Sequence, residues 1–211
     1  MFRWLGNDVE AAPEVAAGVG QTGLAGSVRV AGPSGWRAVR AVAPGDLVLT
    51  FDAGMQRVEE ILSEPAWPGR GPCPHALWPV EVPAGALGNR EVMHVAPDQP
   101  ILIESDVAEA LTGDPFALVP ARALVDAHGI HRAPPAEGAS VVTLTFAAEQ
   151  IVFAGGGAML HCPATARDLL EAGGRAPRYP LLGGHDAARA VQQLDREAAQ
   201  ARSAGLPGIK S

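Results

Sequence analysis

The sequence predicts a mainly β fold built from short antiparallel strands, followed by a helical C-terminal tail. Three observations support this fold class. Short apolar runs alternate with turn residues, glycine and proline are frequent at 25 and 19 of 211 residues, and after residue 163 the sequence becomes rich in Ala, Leu, Glu and Arg. Glycine and proline interrupt regular elements, so this composition favours many turns and few long helices. Evenly spaced short strands are typical of all-β barrels and sandwich-like folds.

Turn residues mark the boundaries of the predicted elements. The separators GPSG, APGD and DAG each contain the Gly, Pro or Asp that tight turns require. Strands are predicted over residues 27–31, 36–42, 47–51, 56–62, 77–82, 91–95, 101–104, 141–146, 151–154 and 158–162, and a short helix over 107–111. Alternation along the strands predicts a core of Val28, Val30, Val39, Val42, Leu47, Leu49, Val95, Ile101, Ile103, Leu144, Phe146, Ile151 and Phe153.

The composition divides the chain into three parts. Residues 1–21 are predicted to be a flexible lead-in, residues 22–163 a β-domain, and residues 164–211 a helical tail. In the tail, Ala187, Val191, Leu194 and Ala198 recur at helical spacing. Alanine buries little apolar area, so we expect the tail to dock weakly and to be separable from the β-domain.

The charge and the cysteine content restrict the class of function. A net charge of −7 and the absence of a basic run argue against a nucleic-acid or anionic-membrane surface. Two cysteines are too few for a disulfide framework. The N-terminus has no apolar stretch long enough for a signal peptide or a membrane span, so we expect a soluble protein, cytoplasmic or exported by a signal-independent route. We expect a monomer without a cofactor, and a protein partner remains open.

Two sequence patterns suggest ligand sites but lack the required context. Residues 18–23 read GVGQTG, which fits the dinucleotide fingerprint, yet no strand precedes the pattern and no helix follows it. Cys73, His75, His161 and Cys162 are suitable zinc ligands by type, but their spacing does not match a structural zinc site. We therefore predict neither a nucleotide site nor a metal site. The carboxylates are scattered and suggest no catalytic pair.

Four segments, in order along the chain, resemble one known family. They are SVRVAGPSGWRAVRAVAPGDLVLTFDAG, PVEVPAGALGNREVMHVAPDQPILIES, FALVPARALV and VVTLTFAAEQIVFAGGGAMLHCP. Together they resemble the Hedgehog/intein (Hint) domain, most strongly the bacterial Hint proteins of the alphaproteobacterial type. The resemblance covers about residues 22–163. It implies a β horseshoe and, as the family's chemistry, autoproteolysis or protein splicing.

The chemistry that the resemblance implies needs four roles. A Cys or Ser at the first position attacks the preceding carbonyl and converts the peptide bond to a thioester or ester. A Thr-x-x-His element polarises the scissile amide and protonates it. In splicing members, a terminal His-Asn pair releases the second bond when the Asn side chain cyclises.

This sequence departs from the family pattern at most of those positions. Carried over, the nucleophile position falls on Thr22, and the Thr-x-x-His positions fall on Ala96 and Gln99. The penultimate histidine is retained as His161, but Cys162 occupies the asparagine position. A threonine hydroxyl is a poorer nucleophile than a thiolate, a glutamine does not titrate, and a thiol cannot form a succinimide.

Two functional hypotheses follow, from different classes. The first is a Hint domain that has lost autoprocessing and acts as a structural or binding module. The second is an active self-processing domain that uses Thr22, or an activity centred on the pair His161 and Cys162. Adjacent residues of a strand point to opposite faces, which argues against that pair. A third possibility is a β-domain with a coincidental similarity, in which His161 and Cys162 only end the last strand.

Overall fold

Short strands joined by tight turns make up most of the fold. The computed structural model describes residues 22–166 and 178–203. The predicted lead-in lies outside these residues, as do residues 167–177 and 204–211 of the predicted tail. The described residues form the strands β1 Leu24–Ala25, β2 Arg29–Gly32, β3 Gly35–Ala38, β4 Leu47–Thr50, β5 Gly54–Arg57, β6 Glu60–Pro65, β7 Val80–Val82, β8 Met93–Val95, β9 Pro100–Glu104, β10 Phe116–Pro120, β11 His131–Arg132, β12 Ser140–Thr145, β13 Gln150–Ala154 and β14 Ala158–Cys162.

Helices occupy a small part of the described chain. Helix α1 spans Asp106–Thr112, and helix α2 spans Gly184–Ser203. Ser105 caps α1, because its hydroxyl accepts a hydrogen bond from the Val107 amide, and Gly113 ends it in a left-handed conformation. Short 3₁₀ helices occupy Val39–Ala41, His75–Leu77 and Ala121–Leu124. The predicted mainly β fold with a C-terminal helix is confirmed.

The strands form two sheets with antiparallel pairing between neighbours. One sheet has six strands in the order β11-β7-β8-β1-β12-β6. The other has eight strands, six of them in the order β10-β9-β14-β13-β2-β3, with β4 paired to β13 and to β5. The first strand of the domain, β1, therefore lies inside one sheet, while the last strand, β14, lies inside the other. Strand β1 pairs with β8, and β14 pairs with β9, so both ends of the β-domain lie next to strands that flank the same turn.

The PGD turn before β4 is held by its aspartate. The Asp46 carboxylate accepts a hydrogen bond from the Ala43 amide at 2.7 Å and pairs with the Arg37 guanidinium. The Ala43 hydrogen bond, with the Arg37 charge, lowers the pKa of Asp46 below its ordinary value. Gly45 has a φ of 92°, which only glycine adopts without strain. The residues PGD are thus explained by the turn geometry that they form.

Most of the predicted core residues are buried, and two strands differ from the prediction. Leu47 is 39% exposed and Leu49 is half-buried, whereas Val48 between them is 1% exposed. Val48 and Thr50 therefore face the core, whereas the prediction placed Leu47 and Leu49 there. Phe153 is only half-buried and lies edge-on to Phe51 at a ring distance of 6.2 Å.

Helix α2 packs on the β-domain more extensively than its sequence suggests. Ala187, Ala190 and Val191 are buried and belong to the main hydrophobic cluster, which also contains residues of both sheets. The Gln193 side-chain oxygen accepts a hydrogen bond from the Val107 amide of α1 at 3.2 Å. Small residues allow the helix to approach closely, which the prediction of weak docking did not consider.

A polar contact also fastens α2 to the rest of the fold. The His128 ring lies with Nδ1 2.9 Å from the Ala86 carbonyl oxygen and Nε2 3.3 Å from an Asp195 carboxylate oxygen of α2.

Neither described helix has an apolar stretch of the length that a bilayer crossing needs.

Candidate functional site

The positions that the resemblance singles out lie at the two ends of the β-domain and in one turn in the middle of its sequence. Thr22 is exposed and lies two residues before β1, and Gln99 lies in the turn between β8 and β9. His161 and Cys162 are the last two residues of β14. Strand β1 pairs with β8 through Leu24 and Val95. This pairing places the start of the domain next to the turn that contains Gln99.

Gln99 joins the start of the domain to its end. Its side chain is buried, and its Oε1 atom accepts a hydrogen bond from the Gly23 amide at 2.8 Å. Its Nε2 atom donates to the His161 carbonyl oxygen at 2.7 Å and to the Pro100 carbonyl oxygen at 3.0 Å. Buried polar groups are stable only when they are hydrogen-bonded, and this amide uses both of its ends. Gln99 therefore holds the backbone at both ends of the β-domain, at Gly23 and at His161.

The backbone of the turn that contains Gln99 also contacts Gly23. The Ala96 amide donates to the Gly23 carbonyl oxygen at 2.9 Å, and the Gln99 amide donates to the Ala96 carbonyl oxygen at 3.0 Å. Gly23 is therefore held on both of its backbone polar groups. Ala96 is buried and offers no hydroxyl at the position where the family pattern has threonine.

Thr22 has one polar contact in this network. The Thr143 hydroxyl of β12 donates to the Thr22 carbonyl oxygen at 3.3 Å. The Thr22 side chain is at the surface. A general base would have to remove its hydroxyl proton for it to act as a nucleophile.

His161 is directed away from Gln99 and toward a carboxylate. Its Nε2 atom lies 3.3 Å from the Glu149 Oε2 atom, and the ring is largely buried. Burial lowers the pKa of His161 from its ordinary value of 6.5, although Glu149 acts in the opposite direction. It is the backbone carbonyl of His161, and not its ring, that contacts the Gln99 side chain.

Cys162 is part of the hydrophobic core. Its side chain is 1% exposed, and burial raises the pKa of the thiol to about 12. The thiolate is the nucleophilic form of cysteine, so this thiol is inert at neutral pH. The burial pattern alternates along β14, which places the Cys162 thiol and the His161 ring on opposite faces. The structure does not bring these two side chains together as a catalytic pair.

The comparison with protein families assigns the fold. The family model described as Hint domain matches residues 23–159, which is more than half of the chain. The chain belongs to the Hint domain family. The match begins immediately after Thr22 and ends before His161. No curated protein matches the sequence.

Solved structures similar to this Hint domain include inteins and an intein-like domain. The solution structure of a bacterial intein-like domain from Clostridium thermocellum is 13% identical, with a TM-score of 0.45, over 67% of this chain and 98% of that chain. The crystal structure of the MchDnaB-1 intein (N145AA) is 17% identical, with a TM-score of 0.43, over 66% and 98%. The gp41-1 intein is 9% identical, with a TM-score of 0.39, over 67% and 97%.

A small, open cleft lies beside His161 in this Hint domain, lined also by Asp52, Glu149, Arg178 and Tyr179. The Tyr179 hydroxyl donates to the Asp52 Oδ1 atom at 2.6 Å, and the Arg178 guanidinium lies 3.3 Å from the same oxygen. Burial, with the Asp52 carboxylate, raises the pKa of Tyr179 to about 12. These contacts hold residues 178–179 against the β-domain.

Sequence reasoning did not identify the cleft residues. Asp52 and Tyr179 are 127 residues apart, and the turn and helix patterns around them predict no contact. Tyr179 is the only tyrosine of the chain, and this is the one feature that could have drawn attention to it. Across residues 22–166 and 178–203, no group of histidine, cysteine or acidic side chains is arranged to hold a metal ion.

Proposed function

We propose that this Hint domain does not cleave or splice itself and serves as a structural or binding module. The hydrogen bonding of Gln99 is the observation that carries the proposal. Where the family pattern has a histidine, this chain has a buried amide whose two ends tie Gly23 to His161. An amide does not titrate near neutral pH, so Gln99 cannot deliver a proton to a departing amine.

The nucleophile position supports the same conclusion. In an acyl shift, the Thr22 hydroxyl oxygen would bond to the carbonyl carbon of residue 21. Its proton would pass to the departing Thr22 nitrogen, and the peptide bond would become an ester. The contacts of the described residues provide no base for this hydroxyl, and Ala96 cannot polarise the amide as a threonine hydroxyl would.

The terminal position gives no support for a second cleavage. Cys162 replaces the asparagine whose side chain would cyclise, and its thiol is buried with a pKa raised to about 12. A buried thiol of this kind is neither a nucleophile nor an acid at neutral pH. The hydrophobic surroundings of Cys162 are those of a core residue.

The alternative is an active domain that uses Thr22, and one observation favours it. Gly23 is held by Gln99 and Ala96, and the Thr143 hydroxyl donates to the Thr22 carbonyl oxygen. Such contacts fix the backbone next to the bond between residues 21 and 22, as an acyl shift would require. The geometry of His161 and Cys162 offers no comparable support.

The test measures the intact mass of the full chain with a small folded protein fused ahead of residue 1. We expect one uncleaved mass after incubation with dithiothreitol or hydroxylamine, which would release an ester-linked fragment. Thr22→Cys, Ala96→Thr and Gln99→His together should produce a fragment that ends at residue 21. The matched control carries Thr22→Ala with the same two other changes and should stay intact. A fragment from the unmodified chain contradicts the proposal.

Restoring a single position should have little effect. Residues that act as one catalytic unit are strongly non-additive, so a nucleophile without a proton donor gains almost nothing. The single variants Thr22→Cys and Gln99→His are therefore expected to remain largely uncleaved under the same conditions.

A further inference from the structure

Strand β6 is an open edge of the six-stranded sheet. It is the last strand in the order of that sheet, and it pairs on one side with β12 from Ser140↔Pro65 to Thr145↔Glu60. Among residues 22–166 and 178–203, no strand pairs with its other side. Six residues is the usual length of a strand, so the edge is long enough to pair with another strand.

The pairing with β12 determines which peptide groups of β6 face outward. The Ala66 amide donates to the Ala139 carbonyl oxygen at 2.8 Å, in register with the pairs that follow. In an antiparallel ladder the bonded residues alternate, so Glu60, Leu62 and Glu64 bond to β12. The peptide groups of Ile61 and Ser63 therefore point away from the sheet. They offer two N–H donors and two carbonyl acceptors to an added strand.

We propose that β6 binds an extended, basic segment of a partner protein by β-strand addition. In this mode, main-chain hydrogen bonds along an open edge supply the affinity, and side chains on alternate positions supply the specificity. Leu62 is 55% exposed on this strand and provides an apolar contact for the added strand. The binding does not depend on whether the domain cleaves itself.

The negative charges along the edge favour a basic partner segment. Glu59, Glu60 and Glu64 lie on or next to β6, and the ion pairs among the described residues include none of them. Arginine or lysine side chains of an added strand would lie across from these carboxylates, and opposite charges in directly facing positions stabilise strand pairs.

The same charges disfavour two other occupants. A second copy paired along this edge would bring three further glutamates against the first three, and like charges that face each other destabilise a pair. Residues 1–21 of the chain carry one arginine against three carboxylates, so they do not complement the edge either. A basic partner segment is the occupant that the edge fits.

The experiment uses the full chain and a capped heptapeptide of alternating arginine and valine as the probe, with binding measured by isothermal titration calorimetry. Ser63→Pro removes an outward N–H while leaving the bonds from β6 to β12 in place, because proline is tolerated at the open side of an edge strand. We expect this variant to bind about tenfold more weakly, from the lost hydrogen bond and the obstructed edge. Ser63→Ala, the matched control, should bind like the unmodified chain.

Four further measurements decide the outcome. Glu60→Gln combined with Glu64→Gln should weaken binding, and a peptide of alternating glutamate and valine should not bind. Ser63→Pro should keep the thermal transition of the unmodified chain, so that weaker binding reports the edge and not unfolding. Equal binding by Ser63→Pro and the unmodified chain would overturn the proposal. So would light scattering that finds a dimer of the unmodified chain and a monomer of Ser63→Pro, because the edge would then be a self-association surface.

Discussion

A β-carbon at position 157 would lie 2.2 Å from the carbonyl oxygen of Gly88. The two glycines bring together the loop between β7 and β8, which contains the GALGN segment, and the triple-glycine turn between β13 and β14. Asn89 organises the first loop, because its side-chain amide donates to the Val82, Pro83 and Glu91 carbonyl oxygens. Its side-chain oxygen accepts from the Leu87 amide. This close contact between backbones explains Gly88 of the first motif and Gly157 of the second.

The first prediction concerns Gly157→Ala. The added methyl group meets a backbone carbonyl that cannot rotate away, so the two turns must separate. We expect a loss of about 1–3 kcal/mol in the free energy of unfolding, as for other overpacked sites, measured by urea denaturation. Gly183→Ala is the matched control, because nothing lies within 4 Å of a β-carbon at that position. Equal stability of the two variants would contradict the contact.

The second prediction concerns Gln99→Met, which keeps the length of the side chain and removes its polar atoms. The Gly23 amide and the His161 carbonyl would lose their bonds to the side chain. Leaving a buried polar group unsatisfied costs about 1–3 kcal/mol, and we expect a loss of unfolding free energy of at least that size. Gln56→Met removes one exposed bond to Ala53 and should change stability by less than about 0.5 kcal/mol.

The third prediction concerns the reactivity of the two thiols. Cys162 is buried with its pKa raised to about 12, whereas Cys73 is only partly buried. A disulfide reagent such as dithionitrobenzoate should therefore label one thiol of the native chain and two in denaturant. In Cys73→Ser, the native chain should not react on the same timescale. Rapid native labelling of that variant would place Cys162 at the surface instead.

The fourth prediction concerns the pH dependence of stability near His161. Burial holds the pKa of this histidine in the folded state below its ordinary value of 6.5. The unfolded state then binds more protons, so the contribution is fully present above about pH 6.5 and is lost as the pH falls through the folded pKa. The His161→Gln variant should lose less stability between pH 7 and pH 5 than the unmodified chain does. Parallel stability curves would show that the ring does not titrate differently on unfolding.

The fifth prediction concerns the C-terminal helix. Ala187, Ala190 and Val191 are buried in the main hydrophobic cluster. Deleting residues 184–211 would expose the surface of the β-domain beneath them, so the melting temperature should fall. Deleting residues 204–211 alone should have a much smaller effect. An unchanged transition after the longer deletion would instead support the expectation of a separable tail.

The sequence predicted the fold class because turn residues carry local information. The PGD turn and the DAG turn are recognisable from Gly and Asp alone, and each strand beside them is fixed by the turn that precedes it. The prediction missed β1, β10 and β11, and it joined β5 and β6 into one strand over residues 56–62. Two of the missed strands have only two residues, and the third lies in a proline-bounded segment that lacks alternation. In β4, the consecutive apolar residues fit either face, so the pattern could not decide between Leu47 and Val48.

The candidate site was less accessible to sequence reasoning. The family resemblance identified position 99, but the residues bonded to Gln99 are 76 and 62 positions away along the chain. Local periodicity carries no information about contacts between residues so far apart in the sequence. The role of this amide as a connection between two backbone segments became evident only from the three-dimensional arrangement.

The interior position of β1 has a consequence for the order in which the domain is assembled. Leu24 pairs with Val95 on one side and with Val142 on the other. A ribosome that makes the chain from its N-terminus must leave residues 24–25 without their second neighbour until residue 142 has emerged. Contacts between such distant residues are slow to form, because a long loop must close before any stabilisation is gained. Of the strands in residues 22–166, the earliest to be synthesised is therefore among the last to complete its pairing.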